Sequence, residues 1–139
     1  SVACFFFTKC TTICPKMISG LKDIQNEFSK EKRLRIISFS VDPESDTPET
    51  LKAYAINREI DTIQWNFVTG EKSKLYRYAR RSLLLVANDG DGGEYDFIHS
   101  DRLVLIDKEG YIRGFYDSTE ANDIKQLKED IRKILKLSF

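Results

Sequence analysis

The sequence lacks an excess of charge of either sign, because its 139 residues include 22 Lys and Arg and 22 Asp and Glu. A chain without net charge has no bulk field to attract nucleic acid or an anionic membrane, so we expect neither as a partner. No apolar run approaches the roughly 20 residues of a membrane-spanning helix, and no basic segment followed by an apolar one opens the chain. The chain as given is therefore expected to be soluble.

Proline, histidine and cysteine are scarce, with three, one and three residues respectively. The cysteines, Cys4, Cys10 and Cys14, cannot all pair with one another, and a chain of about one domain's length can bury a core without disulfides. We therefore exclude a disulfide-stapled scaffold and treat residues 1–139 as a single domain. Because Ser1 is followed at once by the strand-like run VACFFF, we expect a piece of a longer protein that lacks its N-terminal segment.

Apolar patterns predict that strands and helices alternate along the chain. Continuous apolar runs are typical of buried parallel strands, and apolar residues three and four apart are typical of one face of a helix. The predicted strands are 2–7, 34–41, 63–68 and a hairpin of RLVLID and YIRGFY around the turn at 108–110. The predicted helices run from Pro15 to the charged cluster at Lys30, from Pro48, capped by Thr47, to about Ile60, from Lys72 to Arg81, and across Ile124 to Leu135. Residues 88–96, NDGDGGEYD, predict a loop or hairpin tip.

This order predicts an α/β fold with a central mixed sheet and helices on both faces, in three α/β/α layers. Parallel strands joined by right-handed crossovers, and finished by an antiparallel hairpin and a helix, form the thioredoxin-like arrangement. Functional sites in such sheets gather at the carboxyl ends of the strands. Cys10 and Cys14 fall at such an end, between the first strand and the first helix.

Cys10 and Cys14 are the first candidates for chemistry. A thiolate is both the nucleophile and the metal ligand, and the amino end of a helix lowers the pKa of a thiol. Cysteines with three residues between them share one face if the segment is helical, so their sulfurs can converge on a metal or can close a disulfide. A thiolate pair selects soft or borderline ions, chiefly copper(I) or zinc, and needs a further ligand.

The only histidine, His99, precedes the predicted strand RLVLID, which neighbours the first strand in a thioredoxin-like sheet. His99 can therefore reach across a cleft toward Cys10 and Cys14. A Cys2His set with room for a weak fourth ligand suits copper better than structural zinc, which takes four ligands. A lone histidine is, however, more often a surface or hydrogen-bonded residue. Cys4 lies inside an apolar run and is expected to be a buried small hydrophobe, with Trp65 in the core.

Four segments resemble, in order and spacing, the signature segments of the Sco (SenC) family of copper-binding proteins: FFFTKCTTICPKM, SFSVDPESDTPETLKAY, WNFVTG and DFIHSDRLVLIDKEG. They span most of the chain, from Phe5 to Gly110. The resemblance implies a thioredoxin-like fold that binds a copper ion, with Cys10, Cys14 and His99 as the ligands. It implies a membrane tether through a missing N-terminal anchor, on the periplasmic side or in the mitochondrial intermembrane space. The implied partner is subunit II of cytochrome c oxidase, whose dinuclear copper centre the family helps to build, or another copper protein or a thiol or copper carrier.

Two other activities stay open. In a thiol-disulfide oxidoreductase, one cysteine attacks a partner's disulfide and the other resolves the mixed disulfide. Most thioredoxin-like reductases carry a proline just before the strand equivalent to RLVLID, where this chain has Asp101. This counts against a general oxidoreductase, but not against one that reduces the copper-site cysteines of its partner. A peroxidase of the related peroxiredoxin type needs a cysteine near a Thr and an Arg; Thr8 precedes Cys10, but the sequence does not place the Arg.

Overall fold

Strands and helices alternate along the chain as the sequence predicts. The structure is a computed structural model that describes residues 1–9, 13–84, 93 and 100–137. Its strands are β1 (Val2–Phe6), β2 (Ile36–Ser40), β3 (Trp65–Val68), β4 (Arg102–Ile106) and β5 (Ile112–Asp117). Its α-helices are α1 (Ile13–Glu27), α2 (Pro48–Asn57), α3 (Lys72–Arg77) and α4 (Ala121–Leu137). The loop predicted over 88–96 lies outside the described residues, apart from Gly93.

The strands form one mixed sheet in the order β3-β2-β1-β4-β5. β1 pairs in parallel with β2, and β2 with β3, whereas β4 is antiparallel to both β1 and β5. The prediction that the RLVLID strand neighbours the first strand is confirmed. Val2 lies opposite Leu105 and Ala3 opposite Val104, so the chain leaves β1 at the same edge of the sheet at which it enters β4.

Different helices cover the two faces of the sheet. All five residues of β1 are buried, and they alternate between the faces because successive side chains of a strand point to opposite sides. Val2, Cys4 and Phe6 belong to a core that includes buried side chains of α1, α2 and α4. Ala3 and Phe5 belong to a second core that includes buried side chains of α3. The predicted central sheet with helices on both faces is confirmed, and the fold is thioredoxin-like.

Helix α2 begins as predicted and ends earlier than predicted. The side chain of Thr47 accepts a hydrogen bond from the backbone N–H of Thr50 at 3.2 Å, and a proline occupies the first helical position. Glu59 has a φ of 54°, a left-handed conformation that stops a helix, so α2 ends at Asn57 rather than near Ile60. Ile60 turns back into the core and is 8% exposed.

The third predicted helix, Lys72 to Arg81, changes its winding part-way. After α3 the chain forms a π-helical turn over Tyr78–Ser82, which the N–H of Leu83 closes by donating to the carbonyl of Tyr78 at 2.9 Å. The wider turn brings Leu83 into the same buried cluster as Ala79. Periodicity in a sequence cannot distinguish a helix from a helix with one wide turn.

Candidate metal centre

Three strand ends meet at one edge of the sheet, which we call the site edge. It comprises the carboxyl ends of β1 and β2 and the amino end of β4, since β1 and β2 are parallel and β4 is antiparallel to β1. Cys10 stands four residues after β1 ends, and His99 stands three residues before β4 begins. The site edge is where the sequence predicts functional chemistry.

The predicted ligands themselves fall largely outside the described residues. Cys10 and His99 do so entirely, and for Cys14 the structure describes the backbone but not the side chain. The described residues provide the frame around the predicted site, and the ligand set stays a prediction.

Cys14 is the second residue of α1. The first N–H groups of a helix have no carbonyl partner within the helix and give that end a partial positive charge. No acidic residue stands in the first turn of α1 to offset this charge. Because both effects favour a thiolate over a thiol, the backbone position of Cys14 suits metal ligation and nucleophilic attack alike.

Asp46 is a carboxylate at the site edge with no exposed surface. Its Oδ1 accepts a hydrogen bond from the hydroxyl of Thr8 at 2.5 Å. Its Oδ2 accepts one from the N–H of Thr8 at 3.3 Å and one from the hydroxyl of Ser40 at 2.7 Å. Thr8 follows β1 and Ser40 ends β2, so a single carboxylate joins the ends of both strands.

The turn that carries Asp46 is closed by its own hydrogen bonds. The N–H groups of Ser45 and Asp46 donate to the carbonyl of Asp42 at 3.1 and 2.8 Å. The N–H of Asp42 donates to the hydroxyl oxygen of Ser40 at 3.0 Å, and Lys9 Nζ donates to Ser45 Oγ at 3.3 Å. The sequence did not single out Asp46, because an acidic residue beside a helix cap is ordinarily solvated. The available signal was a second aspartate four residues after Asp42, which itself stands two residues after the end of a buried strand.

Helix α3 supports the same strand ends. Tyr76 is fully buried, and its hydroxyl donates a hydrogen bond to the carbonyl of Val41, the residue after β2. The N–H of Val41 in turn donates to the carbonyl of Phe6 at 2.8 Å. The carboxyl ends of β1 and β2 are therefore fixed by backbone and side-chain bonds together.

The entry to β4 is anchored on the end of β5. The carbonyl of Asp101 accepts hydrogen bonds from the N–H of Ser118, at 2.9 Å, and from its hydroxyl. The N–H of Arg102 donates to the hydroxyl oxygen of Ser100 at 3.3 Å. The two residues that follow His99 in sequence therefore have defined partners.

Cys4 is a buried small residue of the core, as the sequence predicted. It is fully buried, and its Sγ lies 3.2 Å from Oγ of Ser38, which also accepts a hydrogen bond from the indole N–H of Trp65 at 2.9 Å. Burial raises the pKa of Cys4 to about 12, although the hydrogen bond with Ser38 opposes the shift. A thiol with this pKa is a poor nucleophile and a poor ligand.

The hydroxyl of Thr8 is committed to Asp46. A peroxidase of the peroxiredoxin type would need this hydroxyl to face the reacting cysteine and its substrate. The observed bond therefore weighs against the peroxidase alternative.

A model of the SCO1/SenC family matches residues 1–136. The chain belongs to the SCO1/SenC family. This match confirms the resemblance that the four sequence segments indicate. It also includes strands and helices outside those segments.

Known members of the SCO1/SenC family resemble this chain along most of its length. The SCO1 protein homolog of Bacillus subtilis is 34% identical over 133 residues, which cover 94% of this chain and 68% of that protein. A SCO1/SenC family lipoprotein from Bacillus anthracis has a TM-score of 0.81 at 29% identity, covering 96% of this chain and 80% of the other. BsSco, described as a member of the Sco family of cytochrome c oxidase assembly proteins, has a TM-score of 0.77 at 33% identity, covering 94% and 77%.

A copper-bound structure of yeast Sco1 shares the fold, with a TM-score of 0.72 at 23% identity and coverage of 97% of this chain and 75% of the other. This SCO1/SenC chain spans between 54% and 68% of the length of three curated relatives that it matches. None of its described helices is long and apolar enough to cross a membrane.

Proposed function

We propose that this SCO1/SenC domain binds one copper ion through the thiolates of Cys10 and Cys14 and a ring nitrogen of His99. The observation that carries the proposal is the placement of Cys14 in the first turn of α1, at the edge where β1 ends and β4 begins. Cys10 and Cys14 follow β1 in the sequence, and His99 precedes β4. Both segments therefore adjoin the site edge.

The donor set fits copper as cargo. Two thiolates and one imidazole bind copper in both oxidation states with high affinity, and they leave room for a weak or incoming ligand. An open coordination position allows a partner's thiolate to enter before a thiolate of this chain leaves. Copper can therefore pass by stepwise ligand exchange, with the amino end of α1 favouring the thiolate of Cys14 when it is released.

The partner that we propose is a copper protein, and specifically subunit II of cytochrome c oxidase with its dinuclear copper centre. BsSco, 33% identical, is described as belonging to a family of cytochrome c oxidase assembly proteins, and yeast Sco1 has been seen with copper bound. The Bacillus anthracis relative is a lipoprotein. We therefore propose that the whole protein is tethered to a membrane and faces the periplasm or the mitochondrial intermembrane space.

Copper titration of the reduced protein tests the ligand set. We expect one copper per chain, with sulfur-to-copper charge-transfer absorption for the oxidised ion. Both should be lost in Cys10→Ala and in Cys14→Ala, and the affinity should be weakened in His99→Ala. Cys4→Ala is the matched control, because Cys4 is a buried cysteine of the same chain, and it should keep the full absorption band. Copper binding by His99→Ala that is as tight as in the parent would show that the distal ligand is wrongly assigned.

A second candidate function uses the same cysteines for thiol-disulfide exchange. One thiolate would attack the disulfide between the copper-site cysteines of a partner and form a mixed disulfide. The second thiolate would then attack the mixed disulfide and release the partner. Two electrons then pass to the partner, which leaves as a dithiol, and a Cys10–Cys14 disulfide remains. A disulfide switch is described for BsSco, which is 33% identical to this chain, and this supports thiol-disulfide exchange as the second function.

The residue before β4 is Asp101 rather than proline, so we expect a specialised reductase and not a general one. Incubation of the reduced protein with an oxidised copper-site domain, and with oxidised insulin as a general substrate, tests this. Reduction of the first alone supports the specialised role. A Cys10–Cys14 disulfide that thiol reductants cannot open would rule out turnover.

A further inference from the structure

We infer that Asp46 is a positioning residue for the segment that carries Cys10, holding it through Thr8 at the end of β1. The inference rests on the proposed use of Cys10 and Cys14 at the site edge, and it adds a residue that the ligand set does not include. Asp46 acts on this segment through the backbone and side chain of Thr8, two residues before Cys10.

The geometry of Asp46 is that of a clamp with three donors. Both carboxylate oxygens are engaged, Oδ1 by the Thr8 hydroxyl and Oδ2 by the Thr8 N–H and the Ser40 hydroxyl. The two bonds from Thr8 fix its backbone as well as its side chain. The bond from Ser40 ties that unit to β2, which pairs with β1 along its whole length.

Burying a carboxylate is unfavourable unless hydrogen bonds replace its hydration, and Asp46 has no exposed surface. Three donors converging on an ionised acceptor provide that replacement, because charge-assisted hydrogen bonds are stronger than neutral ones. An asparagine at position 46 would keep the shape but offer only one acceptor oxygen. With its oxygen in the place of Oδ2, its amide N–H2 would face the hydroxyl of Thr8, which would have to accept a hydrogen bond instead of donating one. The negative charge that strengthens all three bonds would be lost.

Asp107 offers a built-in comparison at the opposite edge of the sheet. It is likewise buried, at 8% exposure, and its carboxylate accepts hydrogen bonds from the N–H groups of Glu109 and Tyr111 and from Nε of Arg113. It follows β4, whose carboxyl end lies beside the amino end of β1, where the Ser1 ammonium donates to the carbonyl of Ile106. Asp107 therefore binds three donors and closes the hairpin turn after β4. The length of β1 separates it from Thr8.

The matched pair Asp46→Asn and Asp107→Asn tests the inference. Both variants remove one oxygen acceptor from a buried three-donor clamp, so both should be less stable than the parent. Residues that orient metal ligands without touching the metal typically change affinity about 10- to 100-fold when they are replaced. We expect Asp46→Asn to weaken copper affinity by about that factor and to shift the charge-transfer band, and Asp107→Asn to change the affinity by less than about twofold. Equal effects of the two variants, or no effect of either, would overturn the inference.

Substitutions at Thr8 keep the inference testable if Asp46→Asn does not fold. Thr8→Val has nearly the same shape but no hydroxyl donor to Asp46, whereas Thr8→Ser keeps the hydroxyl. We expect Thr8→Val to weaken copper affinity and shift the band, and Thr8→Ser to restore both toward the parent. Thr8→Ser and Thr8→Val that behave alike would contradict a role for the hydroxyl bond.

A readout without copper separates the failure of this inference from the failure of the proposed function. The equilibrium of the Cys10–Cys14 pair with a dithiol buffer reports the relative placement of the two sulfurs. We expect it to change by about tenfold or more in Asp46→Asn, which is about 30 mV for a two-electron couple, and to stay at the parental value in Asp107→Asn. If the parent binds no copper, the proposed function fails and this shift alone decides the inference: an unchanged equilibrium in Asp46→Asn overturns it.

Discussion

A variant with Cys10→Ala and Cys14→Ala keeps Cys4 as its single thiol. We expect this thiol to be inert in the folded protein, because Cys4 has no exposed surface and its Sγ is engaged with Ser38. Any thiolate ligation of copper or disulfide exchange by the folded native chain must then involve the other two cysteines.

The magnitude follows from the pKa of Cys4, which burial raises from 9.0 to about 12. At pH 8 the thiolate fraction is then about one in ten thousand, compared with about one in ten for an unshifted thiol. Ionisation alone therefore slows the reaction of Cys4 about a thousandfold, and the lack of access adds to this factor.

The assay is a thiol titration with a chromogenic disulfide reagent at pH 8, first in buffer and then in guanidinium. We expect no reactive thiol in the folded variant and one in the unfolded variant. A version that also carries Cys4→Ala should show none under either condition. Reaction of the folded variant within about tenfold of the rate of a free thiol would refute the reasoning on Cys4.

The same pKa shift predicts how stability depends on alkaline pH. The pKa of folded Cys4 lies above its unfolded value, so its contribution to stability is fully present below about pH 9 and is lost as the pH rises toward 12. Relative to Cys4→Ala, the free energy of unfolding of the parent should fall by about 1.4 kcal/mol per pH unit above pH 9. Parallel pH profiles for the two proteins would contradict the shift.

Two further substitutions test packing and capping by urea denaturation. Gly114→Ala should lower the free energy of unfolding by about 1–3 kcal/mol, because the new Cβ would lie 2.7 Å from the hydroxyl oxygen of Tyr116. That hydroxyl is held in place by the hydrogen bond that it donates to Asp130. A loss below about 0.5 kcal/mol would contradict this and mean that the Tyr116 side chain moves aside freely. Thr47→Ala should cost about 1 kcal/mol through the lost cap bond from the N–H of Thr50, and Thr47→Ser should restore most of it. Equal stabilities of the Ala and Ser variants would contradict the cap.

The sequence predicted the layers of this fold because its signals are local. The run VACFFF predicted a strand buried on both faces, and β1 is buried at every residue. The apolar positions Met17, Leu21 and Ile24 predicted one helix face, and all three are fully buried. The order of these elements then left few topologies, since parallel strands require crossovers of one hand.

The clamp on Thr8 could not be predicted in the same way. It joins residues 38 positions apart, and its acceptor, Asp46, is indistinguishable in sequence from the solvated acidic residues around it. Left-handed residues were also missed: Glu59 and Leu84 have φ values of 54° and 53°, where glycine or asparagine would have given a signal. The burial and the backbone conformation of such single residues depend on tertiary contacts, which local sequence does not show.

The candidate site followed from motif and topology together. The spacing of Cys10 and Cys14 left metal binding and disulfide exchange open, and His99 joined them only through the predicted neighbour relation of two strands. That relation is confirmed by the pairing of β1 with β4. The burial of Cys4 was predictable because its neighbours on both sides are apolar.

The β4–β5 hairpin turn, closed by Asp107, gives the molecule a natural point of attachment. Lys108 and Glu109 are exposed there, and β1, at roughly 3.3 Å per residue, separates the turn from the site edge by about 17 Å. A dye, a tether or a solid support joined at Lys108 would therefore leave the opposite edge turned outward. Domains immobilised in this orientation would all present the same surface to a partner in solution.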